Sequence, residues 1–266
     1  MIGPGLLQRF IAAFIFLALP PAPILVAAEN SKDKIEPALP RILQVRPLAV
    51  IAGATNALNL RGQNLTNLSA LQFTNHWDGS FIDVRSSGPA EVPKEYEARK
   101  IGDYQLKLSV FIPAQFAGET NALVAETPGG LSSPFPLLIL DKGAVLDEQE
   151  PNGGLEQATL IEGNHFIRGV IKEPGDVDVF RFSARTGERI VAEIYAAPGG
   201  STLDSLVTIY DTAGHVLAVN DDVAGQRDSR VEWKASGAGP VAVCVQDAND
   251  KGGAAHLYLL RVTVIR

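Results

Sequence analysis

The sequence predicts an all-β protein made of two β-sandwich domains, the second of jelly-roll type. Three observations carry that reading. Twenty-five glycines and 17 prolines punctuate the 266 residues. The apolar runs between them are short and alternate in character, with almost no helical periodicity. The length suits two modest domains, each able to close its own core.

Residues 1–28 read as an export signal. A start carrying Arg9 leads to the apolar run "FIAAFIFLAL" and then to the small-residue end "VAA" at Val26 to Ala28. The uncharged stretch from Phe10 to Ala28 is close to the length of a retained anchor, but "PPAP" at Pro20 to Pro23 would break a spanning helix. Cleavage after Ala28 would remove Arg9 and take the formal charge from −7 to −8. An acidic chain of this kind is a poor partner for nucleic acid. After cleavage it would have no membrane segment, and it would be periplasmic, cell-surface or extracellular. Cys244 is the single cysteine, which excludes an intramolecular disulfide and a cysteine-based zinc site. Residues 29–40, polar and ended by proline, read as a flexible linker.

A first domain is expected over 41–140. "TNALNLRGQNL" turns Leu58 and Leu60 inward and Asn59 and Arg61 outward, then breaks at Gly62 for a turn. "YQLKLSVFIPA" and "TNALVAETPGGLSSPFPLLIL" are further strand regions, the latter split by the turn "PGG" at Pro128 to Gly130. His76 to Lys100 reads as a hairpin or loop insertion. Its carboxylates Asp78, Asp83, Glu91, Glu95 and Glu97 lie among basic residues, as on a solvated loop. The spaced prolines Pro40 and Pro47, "LRGQNL" and "TPGGLSSPFPL" together resemble an IPT/TIG domain, which implies an immunoglobulin-like sandwich.

An acidic linker, 141–154, leads to a second domain over 155–266. Eight strands are expected there: "HFIRGVI", "VDVFRFSA", "ERIVAEIYA", "SLVTIYD", "HVLAVN", "SRVEWKA", "PVAVCVQD" and "HLYLLRVTV". Their number and the Gly, Asp and Asn turns between them suggest the jelly-roll-type sandwich. Within "VDVFRF", Asp178 shares the core face of Phe180 and Phe182, where a carboxylate needs a compensating partner.

Calcium takes six to eight oxygen ligands, and a loop supplies them best when acidic residues alternate with other residues. In "EQEPN", Glu148, Glu150 and Asn152 project to one side of an extended segment, and Asp176 and Asp178 of "DVD" could meet them. Turns are built from the same residue types, so spacing alone leaves a charged connector as the alternative. "EQEPNGGLEQATLI", "IRGVIKEPGDVDVFRFSARTGERI", "STLDSLVTIYDTAGHVLAVNDD" and the closing "YLLRV" resemble the PPC (bacterial pre-peptidase C-terminal) domain over about 120 residues. That resemblance implies a calcium-stabilised sandwich appended to secreted peptidases and other exported proteins, with Glu148, Glu150, Asn152, Asp176 and Asp178 as the metal ligands. Gly153 stands where the family often has an aspartate, which implies one ligand fewer. In collagen-binding members a strand presents tyrosines, whereas this chain has Val241 and Ala242, which puts collagen binding in doubt. Asp204, Asp211, Asp221 and Asp222 form a second acidic group, explained as turns, with "DTAG" at Asp211 to Gly214 as a type I turn.

The four histidines are isolated, and neither H-E-x-x-H nor G-x-S-x-G occurs. Cys244, within an apolar strand, reads as core. The sequence therefore points to an exported, non-catalytic binding or accessory protein whose partner is an extracellular macromolecule, either protein or polysaccharide. A spacer without a ligand and a hydrolase using scattered carboxylates remain as alternatives.

Overall fold

The computed structural model describes residues 38–74, 81–118, 120–162 and 164–266. The expected export signal over 1–28, most of the 29–40 linker, His76 and Asp78 lie outside the described residues. Among the described residues no helix is long and apolar enough to cross a membrane. The chain is all-β and forms two β-sandwiches.

The first sandwich contains β1 (Arg41–Arg46), β2 (Ala49–Ile51), β3 (Ala54–Gln63), β4 (Ala70–Phe73), β5 (Phe81–Pro89), β6 (Tyr104–Ile112), β7 (Thr120–Thr127), β8 (Gly130–Leu131) and β9 (Phe135–Leu140), with a short helix α1 (Ala98–Ile101) before β6. One sheet runs β1–β3–β6–β5; the other runs β2–β9–β7–β4, with β8 on β7. Leu58, Leu60, Leu106, Leu108 and Val110 of the first sheet face Leu123, Ala125, Leu137 and Ile139 of the second in one core. Period-2 alternation in β3 and β6 produces this arrangement, since every second side chain points inward.

Two sequence expectations need adjustment here. Gly62 does not end its strand: it pairs with Ile42 on one side and Tyr104 on the other. A Cβ there would lie 2.0 Å from the Arg41 carbonyl oxygen, so the glycine permits close strand approach. The turn follows at Asn64 and Asn67, with φ of 55° and 58°. Within 76–100, β5 is a full edge strand that pairs with β6 from Phe81 opposite Phe111 to Pro89 opposite Tyr104, with a bulge between Val84 and Ser86. Its Asp83 is exposed and bonded to Arg85 at 2.9 Å, and Glu97 is paired with Arg99 and Lys100.

The second sandwich contains β10 (Val145–Asp147), β11 (Thr159–Leu160), β12 (Phe166–Val170), β13 (Val177–Ala184), β14 (Arg189–Tyr195), β15 (Ser205–Tyr210), β16 (Val216–Asn220), β17 (Arg230–Lys234), β18 (Gly239–Asp247) and β19 (Leu257–Ile265). Its sheets run β10–β12–β19–β14–β17 and β11–β13–β18–β15–β16. Phe180, Phe182, Val207, Ile209 and Val243 of one sheet pack on Ile190, Ile194, Tyr258, Leu260 and Val262 of the other. Residues 141–154, read from sequence as a linker, include β10, which pairs in parallel with β12. This stretch is thus the edge of the second sandwich rather than a free connector.

The sandwiches share an apolar seam in which Leu48, Ala49 and Leu140 of the first cluster with Leu259, Phe166 and Leu257 of the second. Beside it the fully buried Gln44 donates from Nε2 to the Gly200 carbonyl at 3.0 Å. Gly200 has φ of 79°, and a Cβ there would lie 1.9 Å from the Leu43 carbonyl oxygen. Only glycine allows the two backbones this approach.

Candidate metal centre

The second sandwich places the "EQEPN" and "DVD" motifs at one end of its core. After β10, the Glu148 amide donates to the Arg168 carbonyl at 3.0 Å, continuing the ladder onto β12. The chain then crosses toward the other sheet, where the Asn152 carbonyl accepts from the Val179 amide of β13 at 3.0 Å. The acidic loop is therefore tied to both sheets, with the Asp176–Asp178 segment beneath it.

Carboxylate oxygens of Glu150, Asp176 and Asp178 lie within 4.8 Å of one another. Asn152 and Asp178 are both 0% exposed. The side-chain amide of Asn152, both Nδ2 and Oδ1, and the Oδ1 of Asp178 have no hydrogen-bond partner. Buried polar atoms are nearly always paired, because leaving one unpaired costs its desolvation. Two of these atoms, Asn152 Oδ1 and Asp178 Oδ1, are oxygens of the kind that calcium binds, and the carboxylates of Glu150 and Asp176 lie beside Asp178. Asn152 Nδ2 is an N–H donor and not a ligand. The residues present thus fit a hard cation.

Glu148 is outside that 4.8 Å set, but its carboxyl is in contact with that of Asp178. Its Oε1 accepts from the Val170 amide at 3.1 Å, and its Oε2 accepts from the Tyr258 hydroxyl at 3.1 Å. The same hydroxyl reaches Asp178 Oδ2 at 2.7 Å. Tyr258 comes from β19 and spans the core to join the acidic loop to β13. Its burial, followed by the charges of Asp178 and Glu148, holds its phenol far above the ordinary range. Burial also pushes the Asp178 carboxyl up to about 8, against the pull of the Tyr258 hydroxyl and with a further push from the Glu148 charge. Burial raises Glu148 as well. The positive charge on this side is Lys172, whose Nζ lies 2.6 Å from Glu150 and 3.8 Å from Glu148. Asp176 is held by two backbone amides, Lys172 at 2.6 Å and Val177 at 2.9 Å.

Tyr258, Lys172 and Gly169 belong to the centre and are absent from the sequence reading. Tyr258 sits in "YLLRV", which scans as plain core, while Gly169 scans as an ordinary strand residue. A Cβ at Gly169 would lie 2.2 Å from the Tyr258 ring and hydroxyl and 2.4 Å from Glu148 Oε2. Gly169→Ala is expected to destabilise the fold by about 1–3 kcal/mol through overpacking and to displace Tyr258 and Glu148 together. Urea titration checks this; a variant as stable as the parent would refute it.

The second acidic group does not converge. Asp211 closes its own turn, accepting from the Ala213 and His215 amides at 2.8 and 2.9 Å and from the His215 ring at 2.9 Å. Asp204 bonds Asn249 elsewhere, at 2.9 Å. Val241 and Ala242 are buried in β18. Cys244 is also buried, and its thiol is pushed up to about 12, mainly by burial.

No family model matches the chain. A probable subtilase-type serine protease of Deinococcus radiodurans is 34% identical over 119 residues, covering 42% of this chain and 16% of that protein. The chain thus spans a small part of the relative's length. Among solved structures, the pre-peptidase C-terminal domain of a collagenase from Bacillus anthracis is similar over all of its own length and 44% of this chain, with 16% identity and a TM-score of 0.34. The protein SGBP-B, from a xyloglucan utilization locus in Bacteroides uniformis, is similar over 86% of this chain and 74% of its own, with 14% identity and a TM-score of 0.28.

Proposed function

We propose that the chain is an exported, non-catalytic accessory protein whose second sandwich is stabilised by calcium and which presents a surface to an extracellular protein or polysaccharide. The observation that carries the calcium reading is the buried, unpartnered set of Asn152 and Asp178 atoms beside Glu150 and Asp176. Glu150, Asn152, Asp176 and Asp178 would hold the ion, with Glu148 bracing Asp178 through Tyr258. The ion would supply positive charge to a cluster whose ion-pair partner among the described residues is Lys172. The partial likeness to a probable subtilase-type serine protease, of which the match covers 16%, supports an appended role.

The non-catalytic reading is supported by the state of the single cysteine. Cys244 is buried with a raised pKa, which opposes thiolate chemistry.

Calcium is expected to raise the melting temperature, because a ligand that binds only the folded form stabilises it by mass action. At about 100 times the dissociation constant the gain is about 2.7 kcal/mol. Thermal scans with calcium and with chelator, paired with calorimetric titration, test this. Superimposed scans and no binding heat would refute it. Hydrolytic turnover that survives repurification and is lost on a single substitution in this chain would refute the non-catalytic part.

A further inference from the structure

The seam between the sandwiches opens on one side into a cleft of about 700 Å³ that draws residues from both. The first sandwich contributes Tyr96, from the segment between β5 and α1. The second contributes Asp204, Arg227, Asn249, Lys251 and His256. Ligand sites favour such junctions and such volumes.

The walls are built rather than incidental. His256 is 3% exposed and Asp247 is 2% exposed. The Tyr96 hydroxyl lies 2.9 Å from His256 Nδ1, which fixes an aromatic side chain of one sandwich to the other. A Cβ at Gly253 would come within 2.8 Å of that hydroxyl, so the glycine makes room for it. Asp247 organises the facing loop by accepting from the amides of Asp204 at 3.1 Å, Asn249 at 2.9 Å and Lys251 at 3.1 Å. The His256 Nε2 atom is buried without a hydrogen-bond partner, 3.6 Å from Asp247 Oδ2.

The exposed groups retain bonding capacity of both kinds. Asp204 spends one oxygen on Asn249 Nδ2 at 2.9 Å, which leaves its other oxygen and the Asn249 carbonyl as acceptors. Arg227 donates to the Ser201 and Thr202 carbonyls at 3.2 and 3.4 Å and keeps further N–H groups. Lys251 and Glu95 form no ion pair among the described residues. Carboxylates and cations therefore both line the cleft that holds Tyr96. An anion would meet Glu95, Glu97 and Asp204, and a cation would meet Lys100, Arg227 and Lys251. A neutral ligand whose groups each donate and accept meets no such conflict, and its apolar face can lie on Tyr96. Vicinal hydroxyls on a sugar ring have that chemistry.

We propose that this cleft binds a neutral oligosaccharide, with Asp204, Asn249, Arg227 and Lys251 bonding its hydroxyls and Tyr96 as the aromatic platform. This deepens the binding role proposed above and rests on it. The test is calorimetric titration of the full chain, in calcium, with the hexasaccharides of β-1,4-linked glucose, xylose, mannose and N-acetylglucosamine and of α-1,4-linked glucose. At least one is expected to bind saturably. Asp204→Ala and Lys251→Ala should each weaken it about tenfold, the effect of losing a hydrogen bond to a charged group, with the melting temperature unchanged. Glu162→Ala, outside the cleft, should leave binding intact. No binding by any hexasaccharide, or binding that survives both cleft substitutions, would overturn the proposal. Calcium-dependent melting is read on the same samples, so a calcium shift without sugar binding removes the cleft alone. Sugar binding without a calcium shift supports the cleft and removes the metal.

Discussion

In chelator, the protein is expected to lose stability as the pH rises from about 4 to about 8, and Asp178→Asn is expected to abolish most of that loss. The Asp178 carboxyl stands at about 8 in the folded chain because it is buried, with Glu148 adding its charge. In the unfolded chain it has the ordinary aspartate value of about 4. Between those values the folded state keeps a proton that the unfolded state has released, so the folded state binds more protons and stability falls with rising pH. The stability is fully present below about 4 and is lost as the pH climbs through about 8. Each pKa unit corresponds to about 1.4 kcal/mol, so the cost by pH 8 is on the order of a few kcal/mol.

Calcium is expected to invert this trend. A cation requires the ionised carboxylate, so binding would expel the Asp178 proton and tighten as the pH rises. Asp178→Asn keeps an oxygen for the Tyr258 hydroxyl and removes the titration. The variant should be more stable than the parent in chelator at about pH 8 and should lose its calcium response. Urea titrations at several pH values, with chelator and with calcium, decide the matter. A flat parental profile in chelator, or a variant no more stable at the alkaline end, would refute the assignment.

Such opposed effects at one position explain which parts of the molecule could be read in advance. The long strands of the second sandwich were legible because runs such as "VDVFRFSA" and "PVAVCVQD" are rich in β-formers and bounded by turns. β10 and β11 were not, since they have three and two residues, and Leu146 and Leu160 in them are 42% and 51% exposed. Parallel edge pairing of that length leaves no periodic trace. Within each motif the alternation of Glu148, Glu150 and Asn152 and of Asp176 and Asp178 is local and could be read, whereas joining the two motifs into one group rested on the resemblance to the PPC domain. Tyr258 could not be read, because its partner Asp178 lies 80 residues away in the chain and nothing local distinguishes it from core. The seam was hidden for a related reason: Leu48, Leu140 and Leu259 alternate like any inward-facing residues, and only the folded arrangement shows that they pack on a second sandwich.

The stretch that crosses between the two sheets should be the part of the chain most changed by the ion. From Glu148 to Asn152 it is held by the Glu148 amide on Arg168 and the Asn152 carbonyl on Val179, with Lys172 bridging Glu150. Without a cation, Glu150, Asp176 and Asp178 crowd within 4.8 Å, and at about pH 8 and above, where Asp178 ionises, their repulsion favours local opening. With the cation the same oxygens would become ligands, and opening the loop would require releasing the ion. At about 100 times the dissociation constant the open form falls about 100-fold in population. A calcium-independent glutamyl endopeptidase should therefore cut after Glu148 in chelator and be held off by calcium by up to that factor. Glu150→Ala and Asp178→Ala should each remove the calcium effect, because each deletes a ligand. Asp211→Ala should retain it, because that carboxylate closes its own turn with Ala213 and His215. Equal cleavage of the parent in calcium and in chelator would mean that the loop is fixed by β10 and the Val179 contact alone, and that the unpartnered oxygens of Asn152 and Asp178 do not bind calcium.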